Sequence, residues 1–221
     1  MGYALKPGTY FCDVSDRLVF LDVNADRYFC LSRARETAFR ELAVEQRNPI
    51  SFSAEHENLI RSGLVIPMAG AAFPIPCQAS IFPKVSALDW TVAPERWSYA
   101  VGSLAALLKA RAAFRFHHFG DVLDALAKQK AQVPPATPDK KKVAAIAHAL
   151  DFTARFFRSH DQCLPRSLAA TRQLLALGYR SDLVIGVRMR PFSAHCWTQT
   201  ADSIVNDRFD HVRSFTPILV V

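Results

Sequence analysis

The residues best suited to covalent chemistry are a cysteine, a histidine and an aspartate in the last third of the chain. Cys163 is followed by Pro165, which has no N–H and is therefore tolerated only in the first turn of a helix. Residues 164–177 suit a helix, and Gly178 supplies its stop. Cys163 is thus predicted at the helix N-terminus, where free N–H groups and the helix dipole favour a thiolate over a thiol.

A nucleophilic cysteine needs a base, and His195 and Asp207 follow on a stretch that is rich in predicted strand. Alternate side chains of a strand share a face, so His195 and Trp197 are predicted to point one way and Cys196 the other. These residue types predict acyl transfer through a thioester. Cys163 attacks a carbonyl, His195 moves the proton, and Asp207 fixes the imidazole.

The third member and the oxyanion donors have alternatives. Asn206-Asp207 also fits ordinary turn chemistry, and Asp202 and Asp210 are further candidates for the role of Asp207. The backbone N–H of Cys163 is the predicted donor to the oxyanion, and the side chain of Gln162 is a second candidate. A zinc site is not expected, because Cys163, His195 and Asp207 lack the paired spacing of zinc ligands.

The remaining cysteines and histidines are assigned to structure rather than to chemistry. The other four cysteines are predicted in the core, His211 is predicted at the surface, and five further histidines show no spacing that would pair them. The odd number of cysteines, with no CxxC pair, favours reduced thiols in the cytoplasm, and no metal or cofactor is expected. These residues are Cys12, Cys30, Cys77 and Cys196, and His56, His117, His118, His148 and His160.

Composition and charge bound the class of protein. Half of the 221 residues are hydrophobic, which is enough for a core. The formal net charge is +7, but the excess of Lys and Arg lies in residues 84–160, where a solvated helix face or linker explains it better than a phosphate-binding groove. The first residues lack the pattern of a secretory signal, and no apolar stretch is long enough to cross a bilayer. We therefore expect neither nucleic acid nor membrane as a partner.

Two proline-rich breaks organise the chain. Residues 73–83 are predicted as a linker between a domain at 1–72 and a domain at 84–221, and 133–138 form a second break. The first domain is predicted as a small winged-helix-like α+β module, and the second as helices followed by the antiparallel strands of a papain-like or transglutaminase-like core. The predicted strands are 10–14, 17–23, 27–31, 64–66, 182–188, 194–200 and 203–206. The predicted helices are 33–44, 97–113, 119–130, 142–159 and 164–177, together with a helix that is capped by Ser53 and ended by Gly63.

The segment that starts at Cys163 resembles one family closely. The lasso-peptide biosynthesis B proteins, which are bacterial transglutaminase-like leader peptidases, share the pattern Cys-Leu-x-x-Ser-Leu, Gly-Val, Phe-x-x-His-x-Trp and a later Asp. The resemblance implies that Cys163 is the nucleophile, His195 the base and Asp207 the third member. Cys196 stands where the family more commonly has alanine. The matching segments here are Cys163-Leu-Pro-Arg-Ser-Leu168, Ile185-Gly-Val187, Phe192-Ser-Ala-His195-Cys-Trp197 and Asn206-Asp207.

The hairpin at residues 19–31 is similar to the PqqD-like domain that binds precursor leader peptides in this family. The resemblance implies that a leader adds as a strand beside Arg27, Tyr28, Phe29, Cys30 and Leu31, with the helix around 55–61 opposite. It also implies two partners: the leader of a ribosomally made precursor, and an ATP-using, asparagine-synthetase-like cyclase that closes a macrolactam on the freed core.

Other functions would use the same features. An acyltransferase would have the same Cys/His/Asp site and would differ only in the acceptor of the acyl group. A non-hydrolytic carrier or chaperone for the cyclase would keep the leader-binding domain beside a vestigial site. A DNA-binding regulator is disfavoured, because residues 1–83 carry 8 Lys and Arg against 9 Asp and Glu.

Overall fold

The computed structural model describes residues 2–44, 52–70, 72–77, 82–91, 96–156 and 162–221. The chain divides into two compact units, Met1–Gln78 and Ala79–Val221, which we call the N-terminal and C-terminal units. This division falls inside the predicted linker, 73–83, which holds no helix or strand where it is described. The mixed α+β class predicted from the sequence is confirmed. In the described part of the chain, no helix combines the length and apolar character that crossing a membrane requires.

The N-terminal unit combines a three-stranded sheet, a helix pair and a two-stranded ribbon. Its described elements are strands β1 (Gly2–Leu5), β2 (Thr9–Val14), β3 (Arg17–Asp22) and β4 (Arg27–Cys30), helices α1 (Arg33–Val44) and α2 (Ala54–Arg61), and strand β5 (Val65–Met68). The antiparallel sheet has the order β2–β3–β4, and β1 pairs with β5. The predicted strands and helices of this unit are confirmed. The sequence analysis missed β1, whose only described partner strand lies some sixty residues further along the chain.

Aromatic side chains form the core of the N-terminal unit. Phe11, Phe20 and Phe29 are paired across the three strands and therefore share one face of the sheet. Their neighbouring ring centroids are 5.7 and 5.2 Å apart. Phe39 of α1 meets Phe11 and Phe20 edge-on, with centroids 5.1 Å from each. Edge-to-face contacts add about 0.5–1.5 kcal/mol beyond area burial, so they fix α1 on this face.

The C-terminal unit packs helices on a five-stranded sheet. Its described elements are β6 (Val85–Ser86), α3 (Arg96–Phe116), α4 (Phe119–Ala131), α5 (Lys140–Ala154), α6 (Cys163–Ala176), β7 (Asp182–Arg188), β8 (Ser193–Thr200), β9 (Ser203–Ile204), α7 (Phe209–Val212) and β10 (Thr216–Val220). The sheet order is β10–β7–β8–β9–β6, and its pairs are antiparallel except β6 with β9.

The predicted helices and strands of the C-terminal unit are confirmed, with two changes and three additions. The strand predicted at 203–206 is limited to Ser203–Ile204. The helix predicted at 142–159 begins at Lys140 and ends at Ala154, and residues 157–161 lie outside the described residues. The sequence analysis missed β6, α7 and β10. The first two are very short, and β10 contains Pro217, which argues against a strand unless that strand lies at a sheet edge, as β10 does.

Helix α6 is the element that the rest of the C-terminal unit surrounds, since it packs against α3, α5 and β8. The helix ends at Ala176 and is stopped by Gly178, whose φ of +80° is the left-handed conformation that glycine adopts without strain. The Gly178 N–H donates to the carbonyl of Leu175 at 3.0 Å, and the Tyr179 N–H donates to the carbonyl of Leu174 at 2.9 Å. This pair of bonds is a Schellman motif, and it confirms the predicted stop.

Candidate active site

Cys163 is the first residue of α6, as predicted from Pro165 and Gly178. The backbone N–H groups of Leu164 and Cys196 lie beside its sulfur and lower the pKa of the thiol. The first of these donors has no partner inside the helix, and the second comes from strand β8. The thiol is half-buried. The start of the helix and the strand beside it therefore both direct donors toward Cys163 Sγ.

His195 lies between Cys163 and Asp207, and the structure brings these three predicted residues together. Nε2 of His195 is hydrogen-bonded to Oδ2 of Asp207. The same ring is hydrogen-bonded to the Cys163 thiol, which leaves Nδ1 to face the sulfur. An ionised carboxylate only accepts hydrogen bonds, so the proton of a neutral His195 lies on Nε2 and its Nδ1 lone pair faces the thiol. That tautomer is the one a general base requires.

The electrostatics of the site favour a thiolate–imidazolium pair. Burial opposes a charge on Cys163, but the hydrogen bond and charge of His195, with two backbone N–H groups, outweigh it and hold the pKa of the thiol below its usual range. Burial also opposes a charge on His195, but hydrogen bonds to Asp207 and Cys163 raise the pKa of the imidazole to about 9. The ion pair therefore exists above the lowered pKa of Cys163 and is lost as the pH rises through about 9.

Asp207 is the carboxylate that the geometry selects from the three candidates. Its Oδ1 accepts the backbone N–H of Arg208 at 2.7 Å. Burial alone would raise the pKa of Asp207, but the hydrogen bond from His195 and the Arg208 N–H hold that pKa below its usual range. The two alternatives have other partners, since Asp202 accepts a hydrogen bond from Ser203 and Asp210 pairs with Arg213.

His211 is a member of this cluster that the sequence analysis placed only at the surface. Its side chain is half exposed, as predicted, but its Nδ1 lies 3.1 Å from Oδ2 of Asp207. Its ring centroid is 4.4 Å from that of His195. The signal in the sequence was the spacing of four residues between Asp207 and His211. This spacing brings side chains together only on a helical turn, and α7 was not predicted.

One nitrogen from each of the two imidazoles and one oxygen of Asp207 lie within 4.8 Å of one another. Two imidazoles and a carboxylate are ligands from which a zinc site can be built. The hydrogen bonds of His195 and His211 to the carboxylate already account for the contacts between these groups. Cys163 is outside the set.

Aromatic rings support His195 from one side, and Gly186 makes room for them. Trp197 stacks on the His195 ring with centroids 6.3 Å apart, which confirms that the two side chains share a face, and Phe215 lies 5.2 Å away. Gly186 pairs with His195 across β7 and β8. A Cβ on Gly186 would lie 2.7 Å from the Trp197 ring and 2.9 Å from Cβ of Phe215, so any larger residue would displace these rings.

A buried hydrogen-bond network lies behind Cys163. The hydroxyl of Ser167 is 2.7 Å from the carbonyl of Cys163, and it accepts a hydrogen bond from Nδ2 of Asn206 at 2.9 Å. Oδ1 of Asn206 accepts the backbone N–H of Thr198 at 2.7 Å. Asn206 precedes Asp207 directly. The network therefore ties the first turn of α6 to strand β8 and to the loop that presents the carboxylate.

The other cysteines differ from Cys163 in environment. Cys12 and Cys196 are buried, as predicted, and Cys77 is half-buried, but Cys30 is exposed, so the core prediction for Cys30 is wrong. The reason is that Cys30 is the last residue of the edge strand β4 and points away from the phenylalanine row. Burial raises the pKa of Cys12 to about 12 and also raises those of Cys77 and Cys196.

Gln162 occupies the N-cap position of α6, immediately before Cys163. Its side chain forms no capping hydrogen bond to the helix, and its carbonyl accepts the Arg166 N–H at 3.1 Å. Since Pro165 has no N–H and the Leu164 N–H is directed to the sulfur, the Cys163 N–H is the donor of this first turn that suits an oxyanion. The oxyanion roles of the Cys163 N–H and of Gln162 stay predictions.

Comparison with known proteins identifies the family. The sequence profile of the transglutaminase-like superfamily matches residues 106–220, slightly more than half of the chain, and this range contains Cys163, His195 and Asp207. The chain therefore belongs to the transglutaminase-like superfamily, whose chemistry is of the cysteine peptidase or acyltransferase type. Searches of curated proteins and of solved structures found no match.

We expect iodoacetamide at about pH 6.5 to alkylate Cys163 at least roughly tenfold faster than Cys30, because the Cys163 thiol has a lowered pKa. The measurement is peptide mapping by mass spectrometry over time. His195→Gln should slow labelling of Cys163 and leave Cys30 unaffected. Equal rates at the two cysteines would show that exposure, rather than the contact with His195, sets the reactivity of the thiols.

We expect Ser167→Ala to destabilise the protein by about 1–3 kcal/mol, because it leaves the buried amide of Asn206 without its acceptor. Denaturant unfolding gives the free energy of unfolding. Ser103→Ala is the matched control, because Ser103 is a buried serine whose hydroxyl donates to Gln173 instead. Alkylation of Cys163 should slow in Ser167→Ala only. An equal change in the alkylation rate of both variants would show that the network does not position Cys163.

Proposed function

We propose that this protein is a cysteine peptidase that binds the leader of a lasso-peptide precursor and cleaves it from the core. The observation that carries the catalytic part is the hydrogen-bonded chain from Cys163 at the start of α6 through His195 to Asp207. The precursor class rests on the resemblance of the motifs around these residues to the lasso-peptide B proteins. In this reading the three residues are nucleophile, base and orienting carboxylate.

The acylation step follows from the charges at the site. The Cys163 thiolate attacks the carbonyl carbon of the scissile peptide bond, and the oxygen takes up the negative charge near the N-terminus of α6. The His195 imidazolium then gives the proton at Nδ1 to the leaving nitrogen. The C–N bond breaks, the core leaves with a free amine, and the leader stays bound to Cys163 as a thioester.

Deacylation uses the same residues in the opposite direction. Neutral His195 takes a proton from water at Nδ1, and the resulting hydroxide attacks the thioester carbonyl. The C–S bond breaks, the leader departs as a carboxylic acid, and the thiolate–imidazolium pair is restored. Asp207 accepts the Nε2–H throughout and stabilises the imidazolium in both steps. The freed core amine is then the substrate of the proposed ATP-using cyclase.

The proposed leader site is the outer edge of strand β4. The sheet has two edge strands, and the outer side of β2 already receives the Cys77 N–H at its Phe11 carbonyl, with a donor–acceptor distance of 2.9 Å. Strand β4 pairs with β3 alone in the described part of the sheet. An edge strand presents backbone N–H and C=O groups to which an extended peptide can add.

Side chains beside this edge supply an apolar floor. Phe29 and Leu31 belong to the same hydrophobic cluster as Leu59 of α2, so strand and helix meet over one core. The guanidinium of Arg27 lies over the Phe29 ring, 5.5 Å from its centroid. Apolar side chains of a leader would pack here while its backbone pairs with residues 27–31, as predicted from the resemblance.

We expect the protein to release the leader from a lasso-type precursor and Cys163→Ala to lose at least about 10³-fold in rate, because no thioester can form. The measurement is mass spectrometry of the products, with and without the cyclase. Cys196→Ala is the matched control: its side chain is buried on the opposite face of β8, and its backbone N–H, which contacts Cys163 Sγ, is retained.

Product masses separate the proposal from its alternatives. Hydrolysis adds one water to the sum of the two products, whereas an acyltransferase would give a leader joined to an amine. Leader binding without cleavage by either the native protein or the Cys196→Ala variant would identify a carrier and contradict the peptidase assignment.

We expect Tyr28→Ala to weaken leader binding roughly tenfold. Tyr28 lies on the face of β4 opposite Phe29, where it would contact the alternate side chains of an added strand, and an aromatic contact of this kind contributes about 1–2 kcal/mol. The measurement is fluorescence polarisation with a labelled leader and the Cys163→Ala protein. Tyr10→Ala is the matched control, because Tyr10 and Tyr28 pair with the same residue, Leu21, from opposite edges of the sheet. A loss of affinity in Tyr10→Ala instead would place the leader at β2.

A further inference from the structure

We propose that His211 is a positioning residue of this site, which acts by holding the Asp207 carboxylate in the orientation that His195 requires. This inference rests on the proposed function, since it concerns the same Cys163–His195–Asp207 chain. It adds a fourth side chain, from α7, to the three that the sequence motifs single out. His211 acts through Asp207 and contacts neither the sulfur nor the scissile bond in this proposal.

The hydrogen bonds of the carboxylate show what His211 contributes. Oδ1 of Asp207 accepts one backbone N–H, from Arg208. Oδ2 accepts from two imidazoles, Nε2 of His195 and Nδ1 of His211, the latter at 3.1 Å. Because an ionised carboxylate offers no proton, the nitrogen of His211 that faces it must carry one. The protein therefore commits the tautomer of a second histidine to the same oxygen.

The Asp207 carboxylate needs such a restraint because the backbone contact of this residue does not fix it: the Ser86 hydroxyl donates to the Asp207 carbonyl at 2.6 Å, which holds the main chain but leaves the carboxylate free to rotate. Asp207 follows the two-residue strand β9 and precedes the single turn of α7, and its side chain is 20 % exposed. If the Arg208 N–H were its only other donor, the carboxylate could rotate about its last torsion, and Oδ2 could leave His195 and accept a hydrogen bond from water instead. A second donor on Oδ2, from a different element, defines the plane of the group and keeps that oxygen on His195.

Ring contacts in turn restrain His211. Its centroid is 4.4 Å from that of His195 and 5.4 Å from that of Phe215, which it meets edge-on. Phe215 also contacts His195, with centroids 5.2 Å apart. One side of the His211 imidazole therefore packs against the rings of His195 and Phe215, and its other side is open to solvent. This packing aims Nδ1 at the carboxylate.

A merely competitive role for His211 predicts the opposite experimental result. If His211 only competes with His195 for Oδ2 of Asp207, then removing His211 strengthens the hydrogen bond between Asp207 and His195 and raises the pKa of His195 further. If His211 holds the carboxylate in place, its removal loosens that bond and lowers the pKa of His195 from about 9. The charged or titratable residues around the His195 ring are Cys163 on α6, Asp207 and Arg208 after β9, His211 on α7, and Arg188 on β7. The guanidinium of Arg188 lies over the Phe215 ring.

The test compares His211→Phe with His211→Asn. The phenylalanine keeps a ring against His195 and Phe215 but has no donor, whereas the asparagine places an amide N–H near the position of Nδ1 without the ring. We expect His211→Phe to lose roughly tenfold in kcat with KM unchanged, which is the usual cost of a hydrogen bond to a charged group. His211→Asn should recover most of that loss.

The second readout is the pKa of His195, followed by NMR titration of its imidazole nitrogens. We expect the pKa to be lower in His211→Phe than in the native protein and to be restored in His211→Asn. A higher pKa in His211→Phe, with kcat retained, would overturn the proposal in favour of competition. Loss in His211→Asn equal to that in His211→Phe would overturn it in favour of ring packing alone.

Two measurements keep this test separate from the proposed function. The NMR titration and the rate of iodoacetamide alkylation of Cys163 need no peptide substrate, so they report on the site even if precursor cleavage is never observed. Circular dichroism and thermal unfolding confirm that each variant is folded. Unchanged values of the His195 pKa and of the alkylation rate in folded His211→Phe would refute the positioning role whatever the substrate is.

Discussion

The hydrogen bond between Nε2 of His195 and Oδ2 of Asp207 is the interaction on which the chemistry of this protein depends. It fixes which nitrogen of the imidazole carries the proton and so leaves the other nitrogen to face Cys163. It also helps to offset the burial that would otherwise keep the imidazole neutral, since the Asp207 carboxylate and Cys163 together raise the pKa of His195 to about 9. Without it, the sulfur would have a neighbour but no base in the correct tautomer.

The scaffold can be understood as the means of bringing these groups to one point. Cys163 comes from the start of a helix, His195 from a central strand of the sheet, and Asp207 from a loop between two very short elements. The Ser167–Asn206 network joins all three pieces through buried hydrogen bonds, where water cannot compete. The absence of a side chain at Gly186 allows Trp197 and Phe215 to approach His195.

Much of this arrangement could be predicted from the sequence, and the exceptions have a common cause. Pro165 and Gly178 define the ends of α6 by local sterics, and the alternation in β8 places His195 beside Trp197, so both were predicted. Elements defined by distant partners were missed. Strand β10 is a strand because it pairs with β7 at a sheet edge that tolerates Pro217. The contact of His211 with Asp207 depends on α7, and Cys30 is exposed because β4 is an edge.

The adjacency of Asn206 and Asp207 places a limit on how this chain can vary in length. One side chain enters the buried network beneath the nucleophile's helix, and the very next one meets the histidine. Asn206 and Asp207 lie in a bend after β9, so a single insertion or deletion there would shift both side chains along the chain and take the amide and the carboxylate away from their partners. The stretch between β9 and α7 therefore cannot gain or lose a residue as surface loops commonly do. Asn206, which bonds to the helix of the nucleophile, and Asp207, which accepts from the imidazole, must stay adjacent in the sequence.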